Sequence, residues 1–157
     1  MFTRSALVAE ARSFRGTPYH LGGQLKGVGV DCATFLYLVL LNCGIVPAQE
    51  LEHVSHDWFA HATEEKYLYR LLRYAGKTAE GLFPPADALK PGCIALSKAA
   101  HSRVYNHGGI ITEPPKLAHA IYPEVQEVRI DCDPLWRGKE IVVLDPWAKA
   151  RTMREAV

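Results

Sequence analysis

Helical patterning in the first half of the chain and strand patterning in the second predict an α+β fold. N-terminal helices should pack on a central antiparallel sheet of about five strands. Two observations carry this. Up to residue 81 most apolar side chains recur at helical spacing, whereas after Gly92 they come in short runs separated by turn residues. The chain has 157 residues, 48% of them hydrophobic, which suits one domain, residues 1–157, around one core.

The elements follow in order. Ser5 to Phe14 places Leu7, Val8, Ala11 and Phe14 near one helical face. Gly16-Thr17-Pro18 ends it, and the glycine-rich stretch from Gly22 to Gly29 must be loop. Asp31 stands at an N-cap position before the strongly apolar run Cys32 to Leu41, which predicts a buried helix starting at Cys32. Gly44 suits a left-handed cap at its end. Residues 46–81 read as polar and helical, an insertion or lid, with Tyr67, Leu68, Leu71 and Leu72 at helical spacing. Phe83 to Pro91 is proline-rich loop. Strands are expected at 93–96, 108–112, 117–122, 125–130 and 141–144.

Composition narrows the function. A formal net charge of +1 with scattered basic residues gives no field for nucleic acid. The longest apolar run, Phe35 to Leu41, is too short to span a bilayer, so no membrane insertion is expected. The first residues lack the apolar core of a signal peptide, so synthesis in the cytoplasm is expected, with later release or virion association open. The four cysteines Cys32, Cys43, Cys93 and Cys132 form no C-x-x-C pair. One reactive thiol and three packed ones is the economical reading.

Cys32 is the candidate nucleophile. A thiol attacks as thiolate, and a helix start and a neighbouring imidazolium both favour that form. On this reading Cys32 should alkylate before the other three. Its base must be a histidine near in space. His107 opens a predicted core strand, and His119 lies in the next one, twelve residues on. Adjacent antiparallel strands can set the two on one face, one as base and one fixing its ring.

The motifs Gly16-Thr17-Pro18-Tyr19, Gly22-Gly23, Gly29-Val30-Asp31-Cys32, Leu89-Lys90-Pro91-Gly92, Asn106-His107-Gly108-Gly109-Ile110 and Leu117-Ala118-His119-Ala120 stand in this order along the chain. In this the chain resembles the NlpC-type cell-wall cysteine peptidases. Its Lys26 to Cys32 stretch is most similar to members from phage tails and gene-transfer modules. The resemblance implies a circularly permuted papain-like fold, cleavage of an amide in peptidoglycan stem peptides, and no cofactor. It assigns Cys32 as nucleophile, His107 as base and His119 as the orienting residue. Tyr19, Asp31 and Ala33 would line the substrate site, with phage tail proteins as possible partners. The chain departs from the family pattern in four ways. Ala33-Thr34 replaces Ser-Gly, Cys93 replaces Asp, and Gly108 replaces Val, which is expected to loosen packing; residues 46–81 are also longer than in minimal members.

Rival readings are an amidase, deamidase or acyltransferase on the same fold, and a catalytically silent phage tail or binding component. A metal site at His53, His56 and His61 is a third. It lacks a fixed third or fourth ligand, so solvated surface histidines are expected and no metal. Trp58, Trp136 and Trp147 read as packing anchors.

Overall fold

A computed structural model describes residues 2–51 and 62–149. The first helix, α1 (Arg4–Ser13), starts where the Thr3 hydroxyl accepts from the Ala6 amide at 3.1 Å, and it buries Leu7, Val8 and Ala11. A small antiparallel ribbon, β1 (Gln24–Leu25) with β2 (Gly29–Val30), leads into α2 (Cys32–Asn42). Gly44, at φ +72°, lets the chain turn back so that the Ile45 amide reaches the Leu40 carbonyl at 2.9 Å. After α3 (Lys66–Leu72) come β3 (Gly76–Gly81), β4 (Ile94–Ser97), β5 (His107–Ile111), β6 (Lys116–Ile121), β7 (Glu124–Arg129) and β8 (Ile141–Asp145).

Strands β3 to β8 form one antiparallel sheet in the order β3-β8-β4-β5-β6-β7. The α+β expectation holds, with six strands where about five were expected. The addition is β3, in a stretch read as helical. Its sequence, Gly-Lys-Thr-Ala-Glu-Gly, has no strand-forming apolar run; it is an edge strand held by backbone pairing to β8. The 46–81 segment is therefore not purely helical: α3 lies where the Tyr67–Leu72 spacing put it, and β3 extends the sheet.

The sheet is covered on both faces, which is why its central strands read as continuous apolar runs. Alternation sorts them. Ile94, Leu96, Ile110, Val142 and Leu144 pack with Phe35, Leu36, Val39 and Leu40 of α2. Cys93, Ala95, Ile111, Ile141 and Val143 pack on the other side around Trp136. No helix among the described residues is long and apolar enough to cross a membrane. His53, His56, His61 and Trp58 lie outside the described residues. Among the described ones, no group of three His, Cys, Asp or Glu converges as a metal site would require.

Candidate active site

The start of α2 is held by a capping box. Asp31 Oδ1 accepts from the amides of Ala33 at 3.0 Å and Thr34 at 2.9 Å, and Thr34 Oγ1 accepts from the Asp31 amide at 2.8 Å. Asp31 Oδ2 accepts from the Gly22 amide at 2.8 Å, tying the glycine-rich turn to the helix. Both oxygens of this buried carboxylate are thus engaged by backbone. Asp31, expected to line the substrate site, serves as a cap. Ala33 is exposed beside Cys32.

Cys32 keeps part of its surface open, but its sulfur is densely surrounded. The thiol donates to the Asn106 carbonyl at 3.7 Å, and the Gly108 amide also meets the sulfur. These are the neighbours of His107 on either side, so the thiol sits against the backbone that carries this histidine. Asn106 is itself clamped: its side chain accepts from the Ala99 amide at 2.8 Å and donates to the Ala99 carbonyl at 3.2 Å. The expectation that the helix start would depress the thiol is overturned. Burial, followed by the charge of Asp31, pushes Cys32 up to about 12, outweighing the amides of Ala33, Cys32 and Gly108 that favour the thiolate.

His107 is the first residue of β5, and His119 lies within β6. The strands pair Ile110 with Ala118 and Ile111 with Leu117; one step on, Gly109 stands opposite His119. His107 shares the parity of Gly109, so the two histidines occupy one face. A Cβ on Gly109 would lie 3.3 Å from His119 Cβ and 2.8 Å from the Ala118 carbonyl oxygen. Its absence lets β6 approach and the rings meet: His107 Nε2 lies 2.8 Å from His119 Nδ1.

A third ring decides the protons. Trp136 Nε1–H donates to the same His119 Nδ1 at 3.2 Å. An indole nitrogen can only donate, so His119 Nδ1 is an acceptor. Neutral His119 therefore keeps its own proton on Nε2, which is buried without a partner among the described residues. Sharing the one Nδ1 lone pair with the indole, His107 Nε2 carries the proton of the 2.8 Å bond. In a neutral imidazole this leaves His107 Nδ1 as a free base. Both rings are kept neutral: burial, then His119, lowers His107 to about 3, and burial lowers His119 to about 4 against the pull of Asp133. Trp136, read from sequence as a packing anchor, is both an anchor and the group that sets the tautomer. A buried tryptophan's hydrogen-bond partner leaves no mark in sequence.

Tyr19 is half-buried where the chain bridges to Val30, with its amide on the Pro123 carbonyl at 2.9 Å. Burial, then the charges of Cys32 and Asp31, raises its phenol to about 12, so it can serve only as a neutral donor or acceptor.

Among solved structures, the NlpC/p60 domain of the peptidoglycan hydrolase SagA is similar to this chain. The TM-score is 0.54 at 20% identity, over 90% of this chain and 97% of that domain. The chain has the papain-like NlpC/p60 fold. No family model matches it, and no curated protein matches it by sequence.

Proposed function

We propose that the chain is a cysteine peptidase that hydrolyses an amide bond in peptidoglycan stem peptides. One observation carries the chemistry: a thiol at a capped helix start lies against the His107 backbone, while the His119–Trp136 pair leaves His107 Nδ1 unprotonated. The substrate class rests on the SagA domain, whose parent protein is a peptidoglycan hydrolase.

The resting pair is a neutral thiol and a neutral imidazole, because burial disfavours both charges. Proton transfer therefore accompanies attack. His107 Nδ1 takes the thiol proton as the sulfur bonds to the scissile carbonyl carbon. The Cys32 amide, at the helix start, and the Tyr19 hydroxyl stabilise the oxyanion. His107 then protonates the leaving amine, and the carbon–nitrogen bond breaks to leave a thioester. Water, deprotonated by His107, attacks the thioester; the acid leaves and the thiol is restored. His119 takes no proton and holds the ring.

Digestion of purified peptidoglycan, with mass spectrometry of the released fragments, tests this. New amino termini within stem peptides are expected from the wild type and none from Cys32→Ala. Release of ammonia, or sugar–peptide cleavage without stem-peptide scission, would move the reading to an amidase or deamidase.

A further inference from the structure

Tyr67, the second residue of α3, turns its phenol towards the start of α2. Its hydroxyl is closed to solvent and has no hydrogen-bond partner among the described residues. A Cβ on Gly108 would stand 2.9 Å from that oxygen, 2.5 Å from Leu36 Cδ1 and 2.9 Å from Leu96 Cδ2. The glycine after His107 therefore does not loosen packing, as the sequence suggested. Leu36, Leu96 and the phenol fill the space, and no larger residue would admit the hydroxyl there.

The position is specific. Gly108 is the residue whose amide meets the Cys32 sulfur, and the phenol is near enough to Cys32 and Asp31 to feel the Asp31 carboxylate. Burial, helped by the Asp31 carboxylate, keeps the phenol protonated, hence a donor. The helix that carries it is anchored on both sides. Leu68 and Leu71 are buried, and the Glu65 carboxylate accepts from the Tyr105 amide at 3.0 Å, in the loop leading to His107. A buried donor without an acceptor costs free energy, so a fold that holds one rigidly beside a nucleophile is completed when a ligand supplies the acceptor.

We propose that Tyr67 is a substrate-binding residue of the Cys32 site: a peptide entering where Cys32 is open parts the packing over the phenol, and the hydroxyl then donates to a carbonyl oxygen of that peptide. The inference rests on the reading of Cys32 as nucleophile and adds α3 to the substrate site. Nothing covalent passes through Tyr67; it binds and aligns.

Tyr67→Phe tests it, because the change removes one oxygen that bonds to nothing among the described residues. Soluble muropeptides from purified peptidoglycan are the probe, and Cys32→Ala is assayed beside it. The expected result is about a tenfold fall in kcat/KM, the loss of one hydrogen bond to substrate, with Tm unchanged or higher. Wild-type kcat/KM for Tyr67→Phe, with Cys32→Ala inactive, overturns this inference and leaves the nucleophile reading standing. A lower Tm with parallel loss of activity assigns the hydroxyl to the fold and also overturns it. Activity retained by Cys32→Ala, or a wild type inert towards these peptides, removes the reading beneath it, and the inference falls with it.

Discussion

At the residue scale the site depends on where three protons sit. Trp136 donates to His119, His119 accepts from His107, and His107 Nδ1 is left without a proton. Trp136→Phe keeps an aromatic ring in the same place but releases His119 to take either tautomer. About a tenfold loss in kcat is expected, with ¹⁵N NMR showing a mixed His107 tautomer; an unchanged tautomer would refute the lock. His119→Gln can still accept from His107 Nε2–H through its carbonyl, so it should retain more activity than His119→Ala, and both should exceed Cys32→Ala. The uncharged resting pair also sets the pH profile. Cys32 is raised to about 12 and the imidazoles are lowered to about 3 and about 4, so kcat/KM should be level from about pH 5 to 8 and fall in acid as the base is protonated. An ascending limb near pH 6.5 would instead indicate a resting thiolate–imidazolium pair. Alkylation order checks the same point: with Cys32 raised, labelling of the exposed Cys132 before Cys32 is expected, and Cys32 labelled first would indicate a resting thiolate.

At the element scale, two close approaches place the chemistry. One is the first turn of α2, where a single carboxylate caps the helix and binds the Gly22 turn. Asp31→Ala should cost about 1–2 kcal/mol, read by urea denaturation, through loss of the cap and the orphaned Gly22 amide. The other is the β5–β6 approach at Gly109. A methyl there would lie 2.7 Å from Leu117 Cδ1 and 2.8 Å from the Ala118 oxygen, so β6 must move. Gly109→Ala should lengthen the His107–His119 bond and lower kcat, at a stability cost of about 1–3 kcal/mol from overpacking. Unchanged kcat would mean that the His119 position is not limiting.

At the scale of the whole molecule, two neutral histidines buried under a covered sheet couple folding to pH. Each has a folded value below the ordinary 6.5. Between pH 6.5 and about 4 the unfolded chain binds protons that the native state does not, so stability must fall as pH falls through that window and on towards about 3. Above pH 6.5 this contribution is level. Urea midpoints measured across pH 4 to 8 should show it, and His119→Gln should shallow the acid slope. A midpoint independent of pH over that range would mean that the imidazoles are solvated in the native state.

Period and caps carry much of the architecture without tertiary information. Asp31 before an apolar run marks the start of α2 at Cys32, and two strand runs bearing histidines twelve residues apart place His107 and His119 on one face. These are local signals, set by backbone geometry within a few residues or by the period of a strand. Three things depended on the folded chain. β3 exists because β8 offers it an edge, not because its residues favour a strand. The tautomer of His107 depends on Trp136, seventeen residues beyond His119 and joined to it only through the core. The protonation of Cys32 depends on how deeply the sulfur is surrounded: a helix start by itself predicts a depressed thiol, and the burial that reverses the sign belongs to the packed molecule.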